Sequence, residues 1–301
     1  MIKSTFNIVL NQLYPVKKRT FAYGILAILG TFFIMADQQS SPHKLRVISP
    51  QKGHYQVVIF DLGDVIFETS KSMQRAIIGP TILKNPSLIY HLFIRKIDIK
   101  EAFFDILRQI PAKTTDLIYN KGKAMPQILN DWQTGRSTLT ELKLLACNQI
   151  HKSNHPTALK NLFFNVAYFM FDEECIAKSM VPVEPMVRLL KELKQSGYKI
   201  YVLSNWDPYS SAGIQKKYTE LFSHCDGVMT SGQEGITKPN PAFYQRLLTK
   251  YSLNPQDCTF IDDEPFNIEA ARKLGINGIL HTHPTSTFKE LIQCRILELT
   301  A

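Results

Sequence analysis

Cysteine is scarce and irregularly spaced in this chain of 301 residues. The five cysteines are an odd number, and none of them belongs to a Cys-x-x-Cys pair. A structural zinc site is therefore not expected, and the spacing is unlike the disulfide frameworks of small secreted domains. Internal repeats and low-complexity segments are also absent, which leaves an ordinary globular composition with room for one large or two small domains.

Long basic runs are missing from most of the chain, although the formal net charge is +9. Residues 1–50 contain six Lys/Arg and one Asp, so +5 of the charge lies there. The other 251 residues carry only +4, and no basic run among them exceeds two residues. Nucleic-acid binding usually needs a concentrated basic surface and a recognisable motif, so we predict that nucleic acid is not a partner.

No apolar run reaches the ~20 residues that a membrane-spanning helix usually needs. Residues 21–36 form an uncharged, largely apolar run of sixteen that follows the basic cluster at 17–19. This order is typical of a secretory signal or a short signal anchor, so we expect membrane attachment or export through residues 21–36. A buried or amphipathic N-terminal helix in a cytoplasmic protein is the alternative. Residues 37–54 are polar, with two prolines and a glycine, and are predicted to be a linker.

Polar side chains follow three apolar runs that have the character of buried strands. Val-Val-Ile-Phe at 57–60 leads into Asp61, a second run ends at Ser204, and a third ends at Asp262 and Asp263. A buried parallel strand is a continuous apolar run, and α/β proteins place their chemistry just beyond the carboxyl ends of such strands. These side chains are therefore candidates for one shared site.

Helical patterns alternate with the apolar runs in the second half of the chain. Strands are predicted at 56–61, 199–203, 226–230, 258–262 and 277–280, with helices at 184–196, 209–219, 240–251, 265–274 and 286–297. This alternation predicts an α/β fold, a Rossmann-like parallel sheet with helices on both faces. Residues 70–182 show no convincing strand and carry helical signals, such as the capping box that begins at Thr138.

Taken in order, these motifs resemble those of the haloacid dehalogenase-like hydrolase superfamily. Residues 60–65, Phe-Asp-Leu-Gly-Asp-Val, resemble its first motif, and Leu203-Ser204-Asn205 resembles its second. Lys238-Pro239 resembles the third, and residues 261–271 resemble the fourth. The resemblance covers roughly residues 55–285 and points to the phosphatase branch, similar to sugar-1-phosphate phosphatases.

The resemblance also implies a division of the chain. Residues 55–69 and 183–301 would form the Rossmann-like core. Residues 70–182 would form an all-helical cap that is inserted after the first strand and covers the active site. Residues 1–54 would be the N-terminal signal or anchor segment and the linker.

The family chemistry assigns Asp61 as a nucleophile that attacks phosphorus and forms an aspartyl-phosphate. Such a carboxylate approaches a phosphate only when the negative charge is offset, and Mg²⁺ with oxygen ligands is the cofactor that fits. Asp61, Asp263 and the Gly63 carbonyl would hold this ion, with Asp262 beside it or acting through water. The predicted substrate is a small phosphorylated metabolite, with a sugar phosphate as one candidate.

The remaining site residues are assigned by the same resemblance. Ser204 would donate to the phosphoryl oxygens, and Lys238 would neutralise charge on Asp61 and the phosphate. Asn205 and Asp64 are predicted to contact the substrate. Asn267 replaces a carboxylate of the family pattern and is predicted to orient Lys238 or Asp263.

Gly63 is a departure from the family pattern. Phosphatases of the family usually have an aspartate there, two residues after the nucleophile, which protonates the leaving group. Three interpretations stay open: Asp64 moves in, the leaving group needs little protonation, or the protein is slow or inactive. A metal-free dehalogenase is the less favoured enzyme, because such enzymes lack the carboxylate pair seen at Asp262 and Asp263. The alternative from another class is a catalytically weak or inactive binding protein that is tethered to a membrane.

Overall fold

The computed structural model describes residues 44–300 except 52, 92–94 and 96. The predicted membrane segment, residues 21–36, lies outside the described residues. Within the described part of the chain, no helix is both long enough and apolar enough to cross a membrane.

The described residues form strands and helices that alternate over most of the chain. The strands are β1 (Lys44–Val47), β2 (Val57–Phe60), β3 (Phe67–Thr69), β4 (Tyr119–Asn120), β5 (Lys123–Ala124), β6 (Met180–Pro182), β7 (Lys199–Ser204), β8 (Gly227–Thr230), β9 (Cys258–Asp262), β10 (Asn277–Leu280) and β11 (Leu297–Thr300). The helices are α1 (Lys71–Lys84), α2 (Ser87–Ile89), α3 (Ile99–Leu107), α4 (Ile128–Gln133), α5 (Leu139–Lys152), α6 (Thr157–Met170), α7 (Glu173–Ser179), α8 (Glu184–Gln195), α9 (Pro208–Lys217), α10 (Thr219–Phe222), α11 (Ser231–Glu234), α12 (Pro241–Lys250), α13 (Pro265–Lys273) and α14 (Pro284–Gln293). A single 3₁₀ turn, Pro255–Asp257, precedes β9.

Five strands form the central sheet, in the order β10-β9-β2-β7-β8, and all neighbours are parallel. The middle strand β2 is buried along its whole length, because helices cover both faces of the sheet. Burying a large apolar side chain stabilises the folded state by about 1.5–3 kcal/mol. Every residue of a continuous apolar run gains this energy only where both faces of the sheet are covered, as they are at β2. The predicted α/β fold with a parallel sheet is confirmed.

Alternation along the strands divides the core into two layers. Val58 and Phe60 of β2 pack with α8 and α14 on one face of the sheet. Val57 and Ile59 pack with α12 and α13 on the other face. Successive side chains of a strand point to opposite faces, so each strand supplies both layers.

The three central strands end side by side. Phe60 of β2 pairs in register with Val202 of β7 and with Ile261 of β9. The residues that follow these three are Asp61, Leu203 and Asp262, which are therefore neighbours at the carboxyl edge of the sheet. Ser204 is one residue further along β7, and its hydroxyl hydrogen bonds to Asp61.

A helical insert, residues 70–179, leaves the core after β3 and returns at β6, and these two strands pair antiparallel. Its helices enclose an apolar core of their own. The sequence predicts no strand over 70–182, whereas the structure has β6 and the hairpin of β4 and β5 there. The hairpin turn places Lys121 and Gly122 at positive φ, which is typical of a tight hairpin turn but unusual for lysine.

The pairing of β1 with β11 corrects two predictions, the linker at 37–54 and the last helix at 286–297. β1, within the linker, pairs with β11, and the last helix ends at Gln293. The Ile48 amide also donates to the Ile296 carbonyl at 2.9 Å. Four-residue strands with only two inward apolar positions give too short a pattern to distinguish from a linker or a helix end.

Candidate active site

A buried lysine joins two carboxylates at the carboxyl edge of the sheet. Lys238 Nζ lies 2.7 Å from Asp61 Oδ1 and 2.6 Å from Asp262 Oδ2. Lys238 is 1% exposed, Asp262 is 0% exposed and Asp61 is 7% exposed, so water screens these charges little. Burial alone would lower the pKa of Lys238, but the two carboxylates raise it above its ordinary value, and the lysine stays charged.

Asn205 fixes the backbone that carries this lysine. Its Oδ1 accepts from the Lys238 amide at 2.7 Å, and its Nδ2 donates to the Lys238 carbonyl at 2.9 Å. Both ends of its amide thus hold Lys238, and the predicted contact of Asn205 with the substrate stays a prediction. The side chain lies in the cavity wall, where it positions Lys238.

Asp262 is held from several directions. Its Oδ1 accepts from the Glu264 amide at 2.8 Å and from Asn267 Nδ2 at 3.0 Å, and its Oδ2 accepts from Lys238. The oxygens are thus occupied by donors, which favours a role in holding Lys238 over direct contact with a metal. Asn267 was predicted to orient Lys238 or Asp263, whereas its amide donates to Asp262, which in turn accepts from Lys238.

Asp263 has no hydrogen-bond partner among the described residues, and it is only partly buried. Burial, together with the charges of Asp61, Asp262 and Asp64, raises the pKa of Asp263 to about 8. Burial also raises the pKa of Asp61 to about 6, against the lowering effect of Lys238. Burial is the largest cause of both shifts, and the charge of Asp262 adds to each of them.

The donor set fits a divalent cation with oxygen ligands. Ligand atoms of Asp61, Asp262 and Asp263 all lie within 4.8 Å of one another. Three carboxylates and one lysine sum to a charge of −2 when fully ionised, which a single Mg²⁺ would neutralise. Asp263 and the Asp61 oxygen that faces away from Lys238 are the side-chain groups left for such an ion.

Metal-free protein is expected to lose stability as the pH rises from 6 to 8. The folded state keeps the Asp263 proton up to a pKa of about 8, whereas the unfolded state, with the ordinary value of 3.8, has already released it, so raising the pH toward 8 favours the unfolded state. Urea unfolding in EDTA at pH 6, 7 and 8 measures this fall, which saturating Mg²⁺ should remove. Asp263→Asn is the control and should flatten the slope in EDTA; equal slopes in the two proteins would contradict the assignment.

Ser204, Gly63 and Asp64 complete the predicted set around Asp61. The Ser204 hydroxyl is 2% exposed and hydrogen bonds to Asp61, which lowers the pKa of that carboxyl in part. Gly63 lies beside Asp61 at the cavity wall. Asp64 is exposed, has a φ of 54° and also borders the cavity, so its predicted substrate contact stays a prediction.

A cavity of about 670 Å³ lies over this cluster. The carboxylates, Ser204 and Lys238 lie at one end, and side chains of α3, α4 and α6 from the helical insert line the rest. The insert is tied to the site by Glu264, whose carboxylate accepts from the Gly122 amide at 3.1 Å. Tyr119 of the same hairpin stacks on Phe266, with ring centroids 4.1 Å apart.

Sequence reasoning missed these contacts between the insert and the core. Glu264 precedes Pro265 and accepts from the Phe266 amide, so its sequence signal is that of a helix cap. The apolar cavity wall was missed as well. In a single sequence, an aromatic residue of an amphipathic helix has the same pattern whether it lies in a core or in a cavity.

Comparison with protein families gives a match over most of this core. Residues 55–275 match the family model described as haloacid dehalogenase-like hydrolase. The matched segment begins just before β2 and ends just after α13, so it includes every residue of the cluster described above.

Two curated proteins are similar over shorter segments. The chain is 32% identical over 114 residues to a sesquiterpene phosphatase of Aspergillus oryzae, covering 37% of this chain and 57% of that protein. It is 27% identical over 119 residues to the chloroplastic flavin mononucleotide hydrolase 1 of Arabidopsis thaliana, covering 40% of this chain and 48% of that protein. The chain thus matches about half the length of these relatives.

Solved structures of the same family are also similar. One is a HAD family enzyme of Bacteroides thetaiotaomicron in complex with magnesium and inorganic phosphate. It is 17% identical, has a TM-score of 0.45, and covers 75% of this chain and 93% of its own.

Proposed function

The chain belongs to the haloacid dehalogenase-like hydrolase family, and from that premise we propose that it is a Mg²⁺-dependent phosphomonoester hydrolase. The observation that carries the proposal is the buried Lys238 between Asp61 and Asp262, with the unpaired Asp263 beside them. Such a cluster places a lysine and metal-binding carboxylates at the carboxyl edge of a sheet, where the phosphate group of a substrate would bind. The substrate is a small phosphorylated metabolite.

The first step forms an aspartyl-phosphate on Asp61. A carboxylate oxygen of Asp61 attacks phosphorus, and the bond between phosphorus and the ester oxygen breaks. The electron pair of that bond stays on the ester oxygen, which leaves as an alcohol after taking a proton from water. Lys238 and the Ser204 hydroxyl offset the negative charge that gathers on the phosphoryl oxygens.

The second step regenerates Asp61. Water attacks the phosphorus of the aspartyl-phosphate, the bond to the Asp61 oxygen breaks, and inorganic phosphate leaves while the water proton passes to solvent. Asp262 and Asn205 keep Lys238 in place through both steps. When bound by Asp61, Asp263 and the Gly63 carbonyl, Mg²⁺ supplies charge neutralisation for the incoming phosphate.

The names of the relatives and the carboxylate pair support this proposal over the alternatives. One relative is named a phosphatase and another a hydrolase of flavin mononucleotide. A dehalogenase attacks carbon without a metal and has no use for Asp263, whose carboxylate lies within 4.8 Å of Asp61 and Asp262. A sugar phosphate stays a candidate substrate on the sequence resemblance, and membrane attachment or export through residues 21–36 stays a proposal on the basic cluster at 17–19.

The test is release of phosphate from phenyl phosphate by the full chain, with Mg²⁺ and with EDTA. We expect turnover only with the metal. A folded protein that binds Mg²⁺ and releases no phosphate from any ester would favour the binding-protein alternative.

Gly63→Asp is expected to raise the turnover of ethyl phosphate, whose leaving group is poor. A Cβ at Gly63 would meet only Asp61 Oδ2, at 3.9 Å, so the side chain fits beside the nucleophile. A positioned acid there contributes up to about 10²-fold for a leaving group that needs a proton, and little for p-nitrophenyl phosphate. Steady-state kcat for the two esters measures the effect. Gly63→Asn is the matched control, because it has the same size but no proton to give; equal gains in both variants would contradict the argument.

A further inference from the structure

The cavity over Asp61 has a largely apolar wall, which is unexpected at a site that binds a phosphorylated metabolite. Away from the carboxylate cluster, most of the side chains that border it are apolar or aromatic. They belong to the helical insert and to the loops that connect it to the sheet.

Helix α6 supplies one side of this wall. Val166, Phe169 and Met170 border the cavity, and their i, i+3, i+4 spacing places them on one face of the helix. The same apolar stripe of α6 supplies Leu159 and Leu162 to the core of the insert, against which Val166 and Met170 also pack. The apolar face of this helix therefore continues from the core of the insert to the cavity.

Helix α3 and the segment after the hairpin supply more of the wall. Ile99, Phe103 and Phe104 of α3 border the cavity, as does Met125. Trp132 of α4 also borders the cavity and packs against Phe171, with ring centroids 5.9 Å apart. Aromatic rings and methionine are the side chains that adapt to irregular apolar ligands.

Polar groups in the same wall are few and mostly engaged. Ser179 donates to the Ile176 carbonyl at 2.8 Å, and Lys100 donates to Asn120. The buried polar atoms without a partner among the described wall residues are Trp132 Nε1, Gln133 Oε1 and Asp207 Oδ2. A sugar carries a hydroxyl on almost every carbon and would leave most of them unpaired here, which is costly.

The volume is large enough for a chain. If each non-hydrogen group occupies roughly the 30 Å³ of a liquid water molecule, a cavity of about 670 Å³ holds on the order of twenty groups. A phosphate at the Asp61 end uses five of these, which leaves room for at least about ten carbons.

We propose that the substrate is the phosphate monoester of an apolar alcohol, with a hydrocarbon body of about ten carbons lying against α3 and α6. This inference rests on the proposed function, since it places the phosphate at Asp61. It favours a hydrocarbon leaving group over a sugar at the same catalytic cluster.

The experiment compares n-alkyl phosphates from ethyl to octyl with glucose 1-phosphate, using the full chain with Mg²⁺ and esters below their micelle concentration. We expect kcat/KM to rise about fourfold for each added methylene, which is the fold-change given by about 0.8 kcal/mol of burial per methylene. Octyl phosphate should exceed glucose 1-phosphate by at least about 100-fold on the same grounds.

A pair of variants on α6 tests the wall itself. Phe169→Ala should lower kcat/KM for octyl phosphate by about tenfold and leave ethyl phosphate nearly unchanged, because only the long chain reaches this ring. Tyr168→Ala is the matched control, since Tyr168 is 58% exposed on the same helix and lies outside the wall. It should change neither value.

Binding of alkyl phosphonates to the Mg²⁺-loaded chain, measured by calorimetry, keeps the inference testable without turnover. Affinity that rises from ethyl- to octylphosphonate and falls in Phe169→Ala supports it. Hydrolysis of phenyl phosphate with no gain along the alkyl series, or with glucose 1-phosphate preferred, would overturn the apolar substrate and leave the phosphatase standing. No turnover of any ester would count against the phosphatase, while the calorimetric series would still decide for or against the apolar site.

Discussion

Asp61→Asn is expected to slow phosphate release by at least about 10⁴-fold. An amide oxygen is a poor nucleophile, so no aspartyl-phosphate forms, and the ion pair of 2.7 Å with Lys238 is lost as well. The measurement is release of phosphate from phenyl phosphate under saturating Mg²⁺. Rapid acid quench of the parent chain, followed by peptide mass analysis, should detect a phosphate adduct on the Asp61 peptide that is absent from the variant.

Asp105→Asn is the matched control for this substitution. Asp105 pairs with Arg108 at 2.6 Å, but its side chain is 64% exposed and it does not border the cavity. The change in charge and shape is the same, and we expect activity within about twofold of the parent, because exposed ion pairs contribute little. More than a tenth of the parent activity in folded Asp61→Asn would rule out Asp61 as the nucleophile.

The strands and their polar ends were predictable because the signal is local. Four apolar residues before Asp61 admit few structures other than a buried strand, and the order of the motifs placed Ser204 and Asp262 at neighbouring strand ends. The register of the sheet then brings these polar residues together, since parallel neighbours end at the same edge. Family resemblance added Lys238, which no local pattern distinguishes from a surface lysine.

The partners of these side chains were not predictable, because they depend on distances across the fold. Asp262 was predicted beside the metal or acting through water, and its bonds to Lys238 and Asn267 have no signal in the sequence. Glu264 has the local signal of a helix cap, yet it also accepts from Gly122, 142 residues away in sequence. The helical signals over residues 70–182 likewise did not show which side chains border a cavity rather than a core.

Lys238→Met is expected to destabilise the folded state by about 3–5 kcal/mol at pH 7 and to abolish turnover. Methionine has a similar length and no charge, so the substitution removes the cation and leaves Asp61 and Asp262 buried without compensation. Urea unfolding measures the loss. Lys273→Met is the control, because Lys273 is 72% exposed in its pair with Glu269, and its removal should cost under about 0.5 kcal/mol.

The pH dependence and a second substitution separate lost charge from lost packing in Lys238→Met. Without the cation, which lowers the pKa of Asp61, that pKa should rise further in the folded state, so the variant should recover stability as the pH falls from 8 to 5 and Asp61 takes up a proton. Lys238→Met combined with Asp262→Asn should be more stable than Lys238→Met alone, because one of the two uncompensated carboxylates is gone. A loss that is independent of pH and unchanged in the double variant would mean that Lys238 contributes packing alone. The ion pair would then give no support to an anion-binding site.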